Sequence, residues 1–160
     1  MNDVAVVIPC WNEASSVELV TAELAAVAPL VDGKLRAVFV DDGSSDATWE
    51  AISRQADLFP EGTSASFAIS GIRLLEHSGK GVAQAIGLRS SSSASFVVFM
   101  DGDGQHPISM LPELVATARE TNSAVIATRQ GYSRGLVPAV GTKLLKALMK
   151  LLGSTFDPNL

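Results

Sequence analysis

Short runs of apolar residues recur along the chain and predict strands buried in a sheet. They are rich in β-branched and aromatic residues, and polar residues follow each of them. The runs cover Val4–Ile8, Leu35–Val40, Gly71–Leu75, the stretch that begins at Phe96, and Ala124–Thr128. We expect the stretch at Phe96 to be a central strand that is buried on both faces.

Segments with apolar residues at helical spacing lie between these runs and predict helices. They run from a cap at Asn12 or Ser15 to Ala28, from a cap at Ser45 or Asp46 to Ala56, over Gly81–Arg89, and from Pro107–Pro112 to about Thr121. The alternation of strands and helices predicts an α/β fold class, with a mostly parallel sheet and helices on both faces.

Polar residues cluster directly after four of the predicted strands. In parallel sheets, ligands bind beyond the carboxyl ends of the strands. The polar segments are Pro9–Glu13, Asp41–Ser44, His77–Lys80 and Asp101–His106. Because four such segments should meet at one edge of the sheet, we expect a binding site there.

Composition narrows the class of protein. The 160 residues predict a single domain over 1–160, and 47% hydrophobic residues can supply its core. A formal charge of −5 argues against a nucleic-acid-binding protein, which needs a basic footprint. The single cysteine, Cys10, fits a reducing compartment, and neither a signal peptide nor a membrane-spanning run is evident. We therefore expect a cytoplasmic protein.

Asp101 and Asp103 are the strongest candidates for a metal site. Two carboxylates separated only by Gly102 repel each other and invite a cation between them. Hard oxygens at the end of a strand, with Gln105 beside them, suit Mg²⁺ or Mn²⁺ bound to a phosphate. The alternative is a polar turn after a strand. An EF-hand loop is excluded, because His106 stands where that loop requires glycine.

Three other segments carry candidate ligand contacts. Asp41 and Asp42 are either turn residues or acceptors for a base imide or a ribose hydroxyl, and Glu13 could accept likewise. Lys80 is either a solvated turn lysine or a cation that faces a diphosphate. The HSGKG segment around it matches neither a P-loop nor a dinucleotide-binding fingerprint.

Together these motifs resemble the family 2 glycosyltransferases with the GT-A fold, and within them the dolichol-phosphate mannose synthase-like branch. The matching pieces are VVIPCWNEA, VDDGSSD, HSGKGVAQAIG, FMDGDGQHP and the ATR that ends at Arg129. The resemblance implies a three-layer GT-A (Rossmann-like) fold and an inverting, metal-dependent transfer of a hexose. The donor would be a GDP- or UDP-sugar, and the acceptor a polyprenyl or dolichyl phosphate.

The resemblance also implies a role for each matching residue. Pro9, Glu13 and Asp42 would line the base and ribose pocket. Asp101 would contact the nucleotide, and Asp103 would hold the metal with Gln105 beside it. Lys80 would lie near the nucleotide, and Arg129, with Arg134, would face phosphate. Asp101, Asp103 and Arg129 are thus the expected catalytic residues.

Two departures from the family pattern bear on function. Gly102 stands where the family usually has alanine. The family pattern also continues beyond the last residue, so we expect the acceptor-side C-terminal part to be missing. The alternative function is therefore a domain that binds a nucleotide-sugar without turning it over.

The segment Leu136–Gly153 predicts an amphipathic helix from Thr142 onward. Lys143, Lys146 and Lys150 share one face, and leucines cover most of the rest. Such a helix either packs on the sheet or exposes its apolar face. Exposure would favour the cytoplasmic face of a membrane, or a second copy of the chain in a homodimer.

Overall fold

Four parallel strands form the sheet in the computed structural model, which describes residues 3–62 and 66–127. The strands are β1 (Val4–Cys10), β2 (Leu35–Asp41), β3 (Phe67–Arg73) and β4 (Phe96–Phe99). Their order across the sheet is β3-β2-β1-β4, and each neighbouring pair is parallel. The described residues up to 126 form one compact unit.

Helices connect the strands, as the apolar spacing predicts. The helices are α1 (Ala14–Val27), α2 (Thr48–Leu58), α3 (Lys80–Ser90) and α4 (Leu111–Thr121), with short 3-10 turns at Ala28–Leu30 and Ile108–Met110. Among residues 3–62 and 66–127, no helix has the length and apolar character that crossing a bilayer requires.

The alternation of side chains along β1 and β2 divides the core into two layers. Successive side chains on a strand point to opposite faces. Val4, Val6 and Ile8 pack in the layer formed with α1, α2 and α4, whereas Val7 packs against Ala83 of α3. Helices therefore cover both faces of the sheet, and the predicted α/β class is confirmed.

Gly87 explains how closely α3 approaches the sheet. A Cβ atom at this position would overlap Cγ1 of Val7 on β1. The helix axis can lie this near the strand because glycine presents only hydrogen there. Lys80 lies at the other end of α3, beside the carboxyl ends of the strands.

The stretch at Phe96 differs from the prediction of a buried central strand. β4 lies at the edge of the described four-stranded sheet, and its side chains are half-buried, with Phe99 47% exposed. The fully buried strands are β1 and the carboxyl-terminal part of β2. A continuous apolar run does not distinguish a central strand from an edge strand whose faces are partly covered.

One strand boundary and one predicted strand also differ from the sequence prediction. β3 begins at Phe67, four residues before the predicted start at Gly71. Residues 124–127 have no regular secondary structure, so the strand predicted at Ala124–Thr128 is not found within the described residues. Arg129, Arg134 and the amphipathic segment Leu136–Gly153 lie outside the described residues.

Candidate functional site

A cleft of about 290 Å³ opens at the carboxyl edge of the sheet, between the loops that follow the strands. Residues of all four predicted polar segments line it: Pro9, Cys10, Trp11, Glu13, Asp42, His77, Lys80, Asp101, Gly102 and Asp103. The structure therefore brings together most of the predicted site residues.

Asp42 lies in the wall of this cleft and ties two loops together. Its carboxylate is buried and accepts hydrogen bonds from the backbone N–H of Ser78 at 2.8 Å and of Gly79 at 2.9 Å. Nδ1 of His77 lies 3.0 Å from the same carboxylate. A buried carboxylate requires this kind of compensation, because desolvation penalises its charge. Asp42 therefore holds the turn before α3 in place.

Asp41 points away from the cleft. It is one residue before Asp42, so its side chain leaves the opposite face of the strand. Its Oδ1 accepts a hydrogen bond from the N–H of Ser44 at 3.0 Å, and Oδ2 lies 3.5 Å from Nε of Arg73 without a hydrogen bond. The structure gives Asp41 a role in the β2 turn and does not place it among the residues that line the cleft.

The first two loops hold each other through side-chain bonds to backbone N–H groups. Thr48 Oγ1 accepts from the N–H of Glu13 at 2.8 Å, and Asp46 Oδ2 accepts from that of Ala14 at 3.3 Å. In return, Oδ1 of Asn12 accepts from the N–H of Ser45 at 2.9 Å. The start of α1 is thus satisfied by residues from the start of α2.

The capping predicted for α1 is therefore wrong. Neither Asn12 nor Ser15 occupies the cap position, which belongs to Glu13 and has no capping side chain of its own. Asn12 adopts a positive φ of 57° and turns its amide toward the second loop. The cap predicted for α2 is also wrong, because Ala47 occupies the cap position and has no capping side chain. Asp46, one of the two candidates, lies one residue earlier and accepts from the N–H of Thr48 at 3.0 Å.

Gly43 lets the third loop rest directly on the end of β2. Its φ is +67°, and a Cβ atom there would lie 2.5 Å from the backbone nitrogen of His77. No other residue combines this conformation with so little space. The contact places His77 over the cleft.

His77 lines the cleft, but the sequence analysis did not identify it as a candidate site residue. Its ring stacks on the indole of Trp11, with centroids 4.4 Å apart and planes 27° apart. The ring lines the cleft and its side chain is half-exposed. The available signal was its position in the polar segment His77–Lys80, but the sequence did not show that a buried carboxylate would orient it.

Asp101 contacts a lysine and a histidine. Nζ of Lys80 forms an ion pair with Oδ1, and Nε2 of His106 lies 3.3 Å from Oδ2. Partial burial acts to raise the pKa of Asp101, but the hydrogen bonds and charges of Lys80 and His106 outweigh it and lower the pKa. Asp101 is therefore ionised at neutral pH, and its charge is already balanced.

Asp103 has a different environment. It is half-buried, its Oδ1 accepts a hydrogen bond from the N–H of Gln105 at 3.0 Å, and no cationic side chain among the described residues pairs with it. The described residues also contain no group of three or more His, Cys, Asp or Glu side chains that could hold a metal alone. This donor set suits a Mg²⁺ or Mn²⁺ ion that arrives with a diphosphate and takes its other oxygens from it.

Cys10 forms the floor of the cleft beneath Gly102. A Cβ atom at Gly102 would lie 2.7 Å from Sγ of Cys10 and 3.1 Å from the carbonyl oxygen of Pro9. The sulfur of Cys10 thus fills the space that a side chain at this position would need. Burial, followed by the charges of Glu13 and Asp41, raises the pKa of the Cys10 thiol to about 12, so it is an inert packing group.

Comparison with known sequences gives the same picture over most of the chain. The family model described as Glycosyl transferase family 2 matches residues 5–155. A dolichol-phosphate mannosyltransferase from Pyrococcus furiosus is 29% identical over 132 residues, which are 82% of this chain and 34% of the relative. An undecaprenyl-phosphate 4-deoxy-4-formamido-L-arabinose transferase from Salmonella paratyphi A is 34% identical over 152 residues, which are 92% of this chain and 43% of the relative.

Solved structures share the fold. The mannosyltransferase PcManGT from Pyrobaculum calidifontis, in complex with GDP-Man and Mn²⁺, superposes with a TM-score of 0.56 and 28% identity, over 72% of this chain and 32% of that one. TarS 1-349 from S. aureus in complex with UDP-GlcNAc gives a TM-score of 0.59 at 22% identity, over 86% and 37% of the two chains. The chain thus spans less than half the length of the relatives it matches.

Proposed function

Because the chain belongs to glycosyl transferase family 2, we propose that its cleft binds the nucleoside diphosphate part of a nucleotide-sugar, from which the protein transfers the sugar. The observation that carries the proposal is the placement of two unlike walls around one cleft. One wall contains Asp42 and the turn that its carboxylate holds by hydrogen bonds. The other wall contains the carboxylates of Asp101 and Asp103. Such a cleft offers a pocket for a nucleoside beside a site for a diphosphate.

The residues divide between the two parts of the donor. Pro9, Glu13 and the turn held by Asp42 form the base and ribose side, and residues of each line the cleft. Lys80 and Asp101 form the diphosphate side. The ammonium group of Lys80 would attract a phosphate oxygen, because it is a compact positive charge that also donates hydrogen bonds.

Asp103, with Gln105 beside it, would hold a divalent cation, Mg²⁺ or Mn²⁺. The related mannosyltransferase from Pyrobaculum calidifontis, whose structure is a complex with GDP-Man and Mn²⁺, supports this assignment. When bound, the ion supplies positive charge to the departing diphosphate. Asp103 is available for it, since Asp101 is engaged by Lys80 and His106.

The acceptor we propose is a polyprenyl or dolichyl phosphate. Both curated relatives described above have names that specify a lipid-phosphate acceptor. The phosphate oxygen of such an acceptor is already anionic, so attack with inversion at the sugar carbon needs no general base. Among the described residues after Asp103, Glu113 and Glu120 lie on α4 and do not line the cleft.

Transfer also needs residues beyond the donor cleft. Arg129, which we expect to face phosphate, stays a prediction because it lies outside the described residues. The same holds for the lysine-rich segment Leu136–Gly153, for its proposed contact with the cytoplasmic face of a membrane, and for the homodimer. Since the chain spans 34% and 43% of these two relatives, donor binding without turnover is the second candidate function.

Replacement of Asp103 by Asn tests the donor site. We expect the fold to survive and the Mn²⁺-dependent binding of a nucleoside diphosphate, measured by calorimetry, to be lost, because the amide removes the charge that holds the ion. Asp57→Asn is the matched control, since it removes the same charge from the exposed face of α2. Unchanged affinity in Asp103→Asn would refute the metal assignment.

Adding polyprenyl phosphate to the same mixtures, with GDP- and UDP-sugars in turn, separates the two candidate functions. Lipid-linked sugar is the product expected of a transferase. Binding of the nucleotide-sugar without product would instead support the second candidate.

A further inference from the structure

His77 has one ring nitrogen committed to the protein and one that is not. Nδ1 lies 3.0 Å from a carboxylate oxygen of Asp42 and 3.3 Å from the carbonyl oxygen of the same residue. No hydrogen bond to Nε2 occurs among the described residues. The ring lines the cleft, so Nε2 is the polar atom that this side chain offers to a ligand.

The partners of Nδ1 determine what Nε2 can do. A carboxylate oxygen and a carbonyl oxygen are both acceptors, so Nδ1 must carry the proton and donate it. In a neutral imidazole, the other nitrogen is then an acceptor. The Asp42 contact therefore fixes the tautomer in which Nε2 accepts a hydrogen bond.

The carboxylate of Asp42 is itself poorly placed to accept a hydrogen bond from a ligand. Its carboxylate oxygens already accept the N–H groups of Ser78 and Gly79 and face Nδ1 of His77. Only 3% of its side chain is exposed. Three of the roughly four acceptor sites of this carboxylate are therefore taken, and little of it is open to a ligand. His77, half-exposed and adjacent, can make the contact without any rearrangement.

We propose that His77 reads the nucleobase of the donor, with its Nε2 accepting a hydrogen bond from a ring N–H. The inference rests on the proposed function and narrows its substrate class. Guanine and uracil carry a ring N–H on their pairing edge, whereas adenine and cytosine carry a lone pair at the corresponding nitrogen. Two acceptors would then face each other, so the cleft selects guanine or uracil nucleotides. Asp42 is the positioning residue that orients the ring.

The test compares GDP, UDP, ADP and CDP binding to the full chain by calorimetry in Mn²⁺, with pyrophosphate as the ligand that has no base. Loss of one hydrogen bond corresponds to about tenfold in affinity. We expect the chain to bind GDP or UDP at least about tenfold more tightly than ADP and CDP.

Three substitutions separate the acceptor from the other features of the ring. His77→Asn retains an N–H near Asp42 but loses the acceptor. His77→Phe retains the stacking on Trp11 alone, and His77→Gln places an amide oxygen near the position of Nε2. We expect base discrimination to vanish in the Asn and Phe variants and to persist in part in the Gln variant. Pyrophosphate affinity should be unchanged in all three.

The outcomes are distinguishable. Equal affinity of the unaltered chain for all four nucleotides, with normal pyrophosphate binding, would overturn the role of His77 and leave the donor site standing. Discrimination that survives in both His77→Asn and His77→Phe would also overturn it, and would point to another acceptor such as Glu13. Failure of pyrophosphate and all four nucleotides to bind in Mn²⁺ would overturn the proposed function and this inference together.

Discussion

The two walls of the cleft are built differently. On the side that we propose for the nucleoside, called the nucleoside side, the loops after β1, β2 and β3 bond to one another through Asn12, Thr48 and Asp42, each across more than thirty positions of sequence. On the side that we propose for the metal, called the metal side, the loop after β4 makes mostly local contacts, such as the N–H of Gln105 to Asp103. Its described long-range ion pair joins Asp101 to Lys80.

Position in the sheet explains only part of this difference. β1 and β2 are flanked by strands on both sides, so the loops at their ends have neighbours to bond to, whereas β3 and β4 each have one described neighbour. The loop after β3 is nevertheless held, because the buried carboxylate of Asp42 accepts its backbone N–H groups. A pocket shaped before the ligand arrives loses less entropy on binding. The side that we propose for the nucleoside is therefore preorganised, whereas the side that we propose for the metal keeps the carboxylate of Asp103 available for an ion.

Gly43→Ala should have the largest effect on stability, because it breaks the nucleoside side. The new methyl would overlap the backbone of Glu76 and His77 in a conformation unfavourable for alanine. We expect a loss of about 3 kcal/mol in the free energy of unfolding, measured with urea.

Gly62→Ala is the control for that experiment. Gly62 also has a positive φ, of +80°, but no atom lies within 4 Å of the added methyl. Its cost should be near the conformational penalty alone, about 1 kcal/mol. Equal losses in the two variants would show that the contact between the second and third loops contributes no stability.

Gly102→Ala should have a smaller effect that reaches the metal side. The methyl meets Sγ of Cys10 at 2.7 Å and pushes the loop of Asp101 and Asp103 away from β1. We expect about 2 kcal/mol of destabilisation from overpacking, with weaker Mn²⁺-dependent binding of a nucleoside diphosphate.

Cys10→Ala in the same chain should recover much of both losses, since it removes the overlapping sulfur. Gly81→Ala, where nothing lies within 4 Å, is the control and should cost little. If the double variant is no better than Gly102→Ala alone, the carbonyl oxygen of Pro9 limits the space instead of the cysteine.

Lys80→Met should have the smallest effect on stability, and its main effect should be on the pKa of Asp101. The pKa of Asp101 is lowered in the fold, so the resulting stability is present above the unfolded value of about 3.9 and is lost as pH falls through the folded pKa. Removal of the ammonium should raise the pKa of Asp101, as measured by NMR titration of its carboxyl carbon.

Arg89→Met provides the matched comparison, because it removes one positive charge from the last turn of the same helix. It should leave the titration of Asp101 unchanged. An unaltered pKa of Asp101 in Lys80→Met would mean that the ion pair is absent in solution.

Patterns local to a segment were enough to predict most of the fold. The apolar runs at β1 and β2 and the helical spacing of α1 identify the parallel α/β class, and the shared fold with solved glycosyltransferases confirms the predicted GT-A architecture. The family is likewise confirmed. The edge position of β4 could not be predicted, because strand order depends on which strands pair and not on their composition.

The site was predicted less completely, for the same physical reason. The residues alone show Asp41 and Asp42 as equivalent neighbours, and the resemblance favours Asp42. The fold shows that Asp42 lines the cleft while Asp41 bonds within the turn after β2. The contacts of His77 with Trp11 and Asp42 join residues far apart in the chain. The bonds from Thr48 and Asp46 to the start of α1 are invisible to local rules, which assign each helix its own cap.

The capping of α1 by residues of the second loop has a consequence for the order in which the protein folds. The first turn of α1 is completed by Thr48 and Asp46, which lie more than thirty residues downstream. During synthesis, α1 must therefore wait for β2 and the start of α2 before its first N–H groups find their native partners, and contacts of such separation slow folding. The two segments should also change together during evolution, since a substitution at Thr48 alters the start of a helix to which it does not belong.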